Sequence, residues 1–361
     1  MSQNLRVAIL FGGTSSEHEI SQRSACNVLE QVAGLGYALE LVGITREGTW
    51  LHYTGDVADI ATDAWEIHDV TPVMLVPGAK GGLYEQTDDG VRKIDVDVVF
   101  PVLHGQGGED GITQGALEAC RLPYVGCGVL SSSLCMDKDA SHRVAGASGI
   151  RVPKCEVLWR GCTADDAAAA VEACGGYPVF VKPTRGGSSY GVSKVTCAGE
   201  LQAALDTAFS LDPKVSVEEA IVGTEVGCAI MGDASGELKM GVVDETVVSD
   251  DGFFHIHQDQ TPGAKASSMN SSLRCPAHLD DETMARVREA GMAVYRALYC
   301  SGFARVDLFV TPEGEIVFNE VNSIPGFTRY SRFPAMMETA GREQADVLDE
   351  LIRTAAAAGA R

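Results

Sequence analysis

The side chains best suited to chemistry stand in one stretch, GFARVDLFVTPEGEIVFNEVNSIPGFTRYSR, residues 302–332. Residues 303–310 and 315–320 are rich in Val, Phe and Ile, and Thr311-Pro312-Glu313-Gly314 between them is a turn signal. The pair therefore reads as a β-hairpin. Strand side chains alternate faces, which puts Arg305, Asp307 and Phe309 on one face, and Phe318, Glu320 and Asn322 together on the returning strand. Asp307, Glu320 and Asn322 then offer hard oxygen ligands suited to Mg²⁺ held together with a nucleotide's phosphates. The alternative is a charged hairpin face near solvent. What favours the ligand reading is the loop that follows directly, Asn322-Ser323-Ile324-Pro325-Gly326-Phe327-Thr328, built for close backbone approach.

Other segments must position further polar groups around that hairpin. Residues 5–11 form an apolar strand that runs into Gly12-Gly13-Thr14-Ser15-Ser16-Glu17-His18-Glu19, followed by a helix over 20–33. Strand, glycine turn and helix is the ligand-cradling unit of open α/β sheets. Glu17 on the turn either holds an ammonium or is a favourable charge near a helix N-terminus. Residues 39–44 read as a second strand, and 45–93 as short strands and turns. A further apolar strand, 96–103, leads into His104-Gly105-Gln106-Gly107-Gly108-Glu109-Asp110-Gly111. His104 either orients Glu17, contacts substrate, or is a satisfied loop histidine. A helix over 112–120 closes the first α/β domain near Gly126.

Residues 131–147 read as one helical region with Lys138 in its middle, where a solvated lysine is the ordinary expectation. The strand 178–183 carries Lys182, and Thr184-Arg185-Gly186-Gly187-Ser188-Ser189-Tyr190-Gly191 follows it. Glycines and serines flanked by Lys182 and Arg185 can fold over phosphates as an anion-binding nest. Gly187 to Gly191 also fits the G-x-S-x-G nucleophile elbow, but that elbow needs a helix after the serine, and 192–195 reads as strand. The expectation is a β-turn flap. A helix over 198–211, strands over 215–219, 225–231 and 239–248, a helix over 281–300 and helices over 333–339 and 344–357 complete the chain. Residues 249–272 read as a long irregular lid or binding loop. His255 and His257 would share a face there, but without an evident third ligand a metal pair is disfavoured.

The 361 residues suggest about two to three domains. With 45% hydrophobic and 22% charged residues the chain can bury sizeable cores. A net charge of −22 argues against nucleic-acid and anionic-membrane partners. The 11 cysteines are scattered without a Cys-x-x-Cys pair, which fits a reducing cytoplasm rather than a disulfide framework. The apolar run 7–11 is too short for a signal peptide, and no stretch is long enough to span a bilayer.

Together ILFGGTSSEHEIS, LHGQGGEDG, MDKDAS, VFVKPTRGGSS, VEEAIVGTE, GFARVDLF and FNEVNSIPGFT, in this order and spacing, resemble the ATP-grasp D-alanine–D-alanine ligase family over nearly the whole chain. FHIHQD and IVFNEVNSIPGFTRYSRFP look closer to its vancomycin-resistance D-alanine–D-lactate ligases. The resemblance implies an α/β (α+β) three-domain ATP-grasp architecture. Residues 1–126 would be an N-terminal α/β substrate domain, 127–222 the small central domain, and 223–361 the C-terminal domain with its lid loop at about 249–272. It implies ATP and two Mg²⁺ ions (Mn²⁺ as an alternative) at Asp307, Glu320 and Asn322. Lys138 and Lys182 would contact phosphates, and Glu218 and Glu225 the adenine amine and ribose. Glu17 would bind the ammonium of the first D-alanine, and Ser188 would link the loops. Arg305 and the Gly326 N–H would stabilise an oxyanion. Ser331, with Arg23, would take the carboxylate of the second substrate, and His104 would line the substrate site. His257, where housekeeping ligases carry tyrosine, would favour D-lactate over D-alanine or D-serine. The product would feed peptidoglycan synthesis, and a cytoplasmic homodimer is expected.

Overall fold

The computed structural model describes residues 5–248 and 271–360. His255, His257 and most of the expected lid loop lie outside the described residues. Residues 271–272, expected in that loop, already belong to the strand Ser271–Arg274.

Three sheets organise the described residues. In the first, the strand Arg6–Gly12 pairs in parallel with Ala38–Ile44 on one side and Val98–Pro101 on the other. All but the first residue of Arg6–Gly12 are buried, as a central strand covered on both faces requires. The stretch 45–93, illegible in detail from sequence, adds Trp50–Tyr53, Val70–Val76, Gly82–Thr87 and Gly90–Ile94 as an antiparallel extension beyond Ala38–Ile44. At the end of the central strand Gly12 has φ +86°, and a Cβ there would lie 2.3 Å from the Ile44 carbonyl oxygen. Only glycine lets the chain turn so tightly toward the helix His18–Val32.

The second sheet is antiparallel, in the order Ser193–Val195, Val179–Pro183, Lys214–Glu219, Cys155–Trp159. The helices Ala164–Ala173 and Ala198–Leu211 cover it, burying Ala167, Ala170 and Val171, and Leu201, Ala204, Leu205 and Ala208 at helical spacing. These residues and the sheet form an apolar core of their own.

The third sheet runs Ser271–Arg274, Leu238–Val248, Thr224–Asp233, Ser301–Val310, Ile316–Asn322, all antiparallel. The helix Asp281–Ala297 packs on it through Val287, Gly291, Val294 and Tyr295. The expected hairpin is its last two strands. Its register pairs Arg305 with Asn322 and Asp307 with Glu320, but then slips so that Leu308 faces Phe318. Asn319 is thus an extra residue in a β-bulge. This corrects the expected alternation: Phe318 does not share a face with Glu320 but is fully buried with Val306, Leu308 and Val321.

A second correction concerns Lys138. The helical region breaks at Asp137, between Val129–Met136 and Lys138–Ala147. Asp137 adopts extended backbone and its side chain accepts the Ala140 N–H, which starts a new helix. Lys138 therefore sits at a helix start and is buried, not solvated in mid-helix.

The first sheet and the C-terminal elements share one core. Phe100 packs against Phe303 and Phe327, with ring centroids 6.0 and 6.3 Å apart, and Phe303 and Phe327 both meet Phe333. Leu348, Leu351 and Ile352 of the terminal helix Gln344–Ala358 join the same cluster as Val7, Ile9 and Val28. This packing holds the loop after Asn322 against the loop that starts at His104.

Candidate active site

The hairpin presents its polar face as a knot of opposite charges. Arg305 donates to both oxygens of Asp307, from Nε at 2.8 Å and Nη2 at 2.7 Å. Asn322 Nδ2 donates to Asp307 at 3.1 Å. Sequence reasoning gave no role to Arg332, yet it is the hub of the adjoining cluster. It forks onto Asp244 with bonds of 2.9 and 2.8 Å, donates to Glu225 at 2.9 Å and lies 3.5 Å from Asp307. Burial raises the pKa of Glu225, with Asp307 and Glu320 adding to it and Arg332 opposing. The signal for Arg332 was faint: an arginine opening a short helix, with acidic partners far away in sequence.

Glu320 turns to the other side of the cleft. Lys138 Nζ lies 2.9 Å from Glu320 and donates to the Gly186 carbonyl at 2.8 Å. Burial alone would raise the pKa of Glu320, but the Lys138 ammonium, with Arg305 and Lys182, outweighs it and lowers the pKa. Asp307, Glu320 and Asn322 are hard oxygen donors held on register-paired strands, a set that fits Mg²⁺. The Asn322 amide can offer either its oxygen or its nitrogen by rotating. Guanidinium and ammonium groups now balance these carboxylates.

In the second sheet Lys182 Nζ meets Glu218 at 2.7 Å, and Ser216 donates to the other Glu218 oxygen at 2.7 Å. Burial works against the Glu218 carboxylate, yet the Lys182 charge and these hydrogen bonds bring its pKa to about 2. The segment after Lys182 is the expected turn, not a nucleophile elbow. Ser188 and Ser189 have φ of +51° and +56°, Tyr190 N–H returns to the Gly187 carbonyl, and the strand Ser193–Val195 follows. The Ser188 hydroxyl donates to Glu17. A Cβ on Gly187 would stand 3.2 Å from Glu17, so the flap backbone lies over that carboxylate. Gln106 ties the flap further by donating to the Arg185 carbonyl at 3.0 Å.

His104 has both ring nitrogens engaged. Nδ1 lies 3.0 Å from the Ile324 carbonyl and Nε2 3.0 Å from the Ser24 hydroxyl, whose oxygen also accepts the Phe327 N–H. Its ring therefore helps to hold the loop 322–328. The Glu17 carboxylate acts on the ring electrostatically, and the His104 carbonyl accepts from Ser15, whose hydroxyl oxygen in turn accepts the Glu17 N–H. Glu109, another residue given no role from sequence, joins the same two loops by accepting the N–H groups of Gly105 and Ile324, each at 2.9 Å. Burial and the nearby Glu17 carboxylate raise its pKa to about 8, against those two donors and Arg305.

Gly326 and Ser331 lie side by side: a Cβ on Gly326 would be 2.8 Å from the Ser331 hydroxyl oxygen. That oxygen also accepts the Thr328 N–H at 2.9 Å. Arg23 is not drawn into this corner. It is solvent-exposed and pairs with Glu19, one turn away on its own helix, at 3.3 Å.

Two lysines paired with carboxylates, a serine flap over a carboxylate and a hairpin of hard ligands are thus linked by side-chain contacts. Comparison with known proteins decides which family builds this arrangement. The model of the D-ala D-ala ligase N-terminus matches residues 6–127, and that of the D-ala D-ala ligase C-terminus matches 144–353. The chain belongs to the D-alanine–D-alanine ligase family. It is thereby an ATP-dependent ligase with the ATP-grasp fold. Among the relatives of this ligase is a Streptomyces coelicolor protein named "Putative D-alanine--D-lactate ligase", 44% identical over 97% of each chain. The Enterococcus faecium vancomycin/teicoplanin A-type resistance protein VanA is 41% identical over 96% of this chain and 97% of its own. The crystal structure of the VanG D-Ala:D-Ser ligase from Enterococcus faecalis superposes with a TM-score of 0.87 at 44% identity, covering 98% of this ligase and all of that chain. No helix among the described residues is long and apolar enough to cross a membrane.

Proposed function

We propose that this ligase joins D-alanine to D-lactate, forming D-alanyl-D-lactate through a D-alanyl phosphate for peptidoglycan precursors, and so confers resistance to vancomycin-type glycopeptides. The observation that carries this reading is the 44% identity, over 97% of both chains, to the protein named for D-lactate. His257 in the loop FHIHQD adds to it, since a histidine is partly cationic at and below roughly pH 6.5. A cation beside the second substrate attracts the D-lactate anion and repels an ammonium.

In this reading Lys138 and Lys182 hold the nucleotide's phosphates, and Glu218 and Glu225 its adenine amine and ribose. Asp307, Glu320 and Asn322 would hold two Mg²⁺ ions, or Mn²⁺, which when bound offset phosphate charge. Glu17 anchors the ammonium of the first D-alanine, whose carboxylate attacks the γ-phosphorus as ADP leaves. The Ser188 flap over Glu17 keeps water from the acyl phosphate. The hydroxyl oxygen of D-lactate then attacks the acyl carbon, the bond from that carbon to the phosphate oxygen breaks, and the hydroxyl proton leaves on the departing phosphate. Arg305 and the Gly326 N–H face the developing oxyanion. Ser331 receives the carboxylate of D-lactate. His104 and Glu109 hold the loop that carries Gly326. The enzyme would work in the cytoplasm as a homodimer.

A D-serine acceptor is the second reading, favoured by the likeness to the VanG D-Ala:D-Ser ligase. D-Alanine as its own partner is the third. The product ratio with D-alanine, D-lactate and D-serine present together, measured across pH, separates them. The proposal expects ester at neutral pH, more dipeptide as pH rises, and loss of ester before dipeptide in His257→Ala. A ratio flat in pH and unchanged in His257→Ala overturns it.

A further inference from the structure

His142 lies in the helix Lys138–Ala147 and is 3% exposed. Its Nε2 is 2.7 Å from the Asn319 carbonyl oxygen. A carbonyl can only accept, so Nε2 carries the proton and Nδ1 keeps its lone pair. That Nδ1 is buried and has no hydrogen-bond partner among the described residues. A buried acceptor left unpaired is destabilising. Cys155 and Glu218 stand nearby as register partners on neighbouring antiparallel strands, and so share one face of the second sheet. One ligand atom from each of His142, Cys155 and Glu218 lies within 4.8 Å of the other two.

We infer that His142, Cys155 and Glu218 form a binding site for a thiophilic divalent cation, with Zn²⁺ as its representative. Imidazole, thiolate and carboxylate are the ligand types of that ion, at bond lengths of about 2.0–2.3 Å. Tetrahedral ligand atoms then sit about 3.5 Å apart, so the present triangle needs a contraction of about one ångström. The bond from Nε2 to a backbone carbonyl is the outer contact that fixes a ligating histidine's tautomer and ring direction. Glu218 retains acceptor capacity beside its bonds to Lys182 and Ser216, because a carboxylate offers about four lone-pair sites.

The electrostatics of the site suit a dication. Burial, then the Glu218 and Asp139 carboxylates, keep the Cys155 thiol protonated well above the usual thiol range. A bound dication reverses that preference: Cys155 releases its proton to solvent as the metal–sulfur bond forms. Burial keeps His142 neutral and able to coordinate. The ammonium groups of Lys182 and Lys138 oppose the ion, and Glu218 carries the charge that offsets them. One consequence rests on the proposed nucleotide role of Lys182 and Glu218: the cation and ATP exclude each other, so Zn²⁺ inhibits competitively with ATP.

Cobalt(II) added to the full-length, nucleotide-free protein provides the test. The proposal expects a thiolate-to-cobalt charge-transfer band that saturates near one equivalent and is displaced by Zn²⁺. The band should disappear in Cys155→Ser, and cobalt affinity should fall at least about tenfold in His142→Ala. Urea unfolding midpoints of both variants control for loss of fold. A wild-type protein without the band, or a Cys155→Ser protein that keeps it at equal affinity, overturns the site. ATP added to the cobalt-loaded wild type as its Mg²⁺ complex, with Mg²⁺ in excess so that free nucleotide does not strip the cobalt, should abolish the band. A Cys155-dependent band that ATP leaves untouched upholds the metal site and removes Glu218 from the nucleotide.

Discussion

Ser188 and Glu17 are 171 residues apart in sequence and meet in one hydrogen bond from hydroxyl to carboxylate. The bond joins the second sheet's flap to the first sheet's turn. A hydrogen bond to a charged group contributes about 1.5–3 kcal/mol, or about ten- to a hundredfold. Ser188→Ala is expected to raise the KM for the first D-alanine by that factor and to leave ATP affinity nearly unchanged. Because the two residues share one bond, the losses in Ser188→Ala and Glu17→Gln should not add in the double variant. Full additivity in steady-state kinetics would show that they act separately.

Glu320 is the carboxylate on which Lys138 rests. Glu320→Gln removes a carboxylate that would hold the Mg²⁺ offsetting phosphate charge, and leaves the Lys138 ammonium without its nearest anionic partner. Turnover is expected to fall by about 10²–10³-fold, with the circular dichroism spectrum unchanged. A folded Glu320→Gln protein with near-normal ATP turnover would remove Glu320 from the metal site.

The Lys182–Glu218 pair gives the protein a signature in acid. The folded pKa of Glu218 is about 2, below the ordinary 4.5. A depressed carboxylate stabilises the fold fully above about pH 4.5, and that contribution is lost as pH falls toward about 2. Lys182→Met leaves Glu218 buried beside an apolar chain, so stability near pH 7 should fall by about 3–5 kcal/mol. Its loss on acidification from about pH 4.5 should be much shallower than in wild type. Urea titrations at several pH values test this, and parallel acid profiles in the two proteins would contradict it.

Glu109 has the opposite sign. Its folded pKa of about 8 lies above the ordinary 4.5. Folding therefore favours the protonated acid, and this contribution is complete below about pH 4.5 and lost as pH rises through about 8. Glu109→Gln sets one backbone N–H without an acceptor, a cost that does not vary with pH. The variant should thus gain on wild type steadily from about pH 5 to about pH 9. A stability difference independent of pH would mean that Glu109 is ionised throughout.

The sequence disclosed elements whose pattern is local. The hairpin, the apolar strand before Gly12 and the helix over 198–211 each announce themselves by period and turn residues, and the structure has them within a residue or two. It did not disclose the bulge at Asn319, because one extra residue changes no composition. Phe318 looked like a neighbour of Glu320 and belongs to the core instead. The break at Asp137 was hidden for a similar reason: an aspartate inside a helical pattern declares itself as a cap only through its backbone angles. Arg332 and Glu109 were missed because their partners lie far away in the chain. Arg332 finds Asp244 and Glu225 across 88 and 107 residues, and Glu109 finds Ile324 across 215. No spacing rule reaches that far. Both residues lie within the motifs that carry the resemblance, in LHGQGGEDG and RYSRFP, but the resemblance assigned a role to neither.

The phenylalanines at 100, 303, 327 and 333 have a mechanical consequence. They weld the first sheet to the C-terminal elements in a single apolar core, so those parts travel as one body. The second sheet keeps its apolar interior to itself. It meets the rest through polar contacts such as Ser188 with Glu17, Lys138 with Gly186, and Lys214 with Asp137. These printed contacts join groups that water can also solvate, unlike the apolar weld between the first sheet and the C-terminal elements. The weld therefore fixes the loop that carries Gly326 against Glu109, whatever the second sheet does.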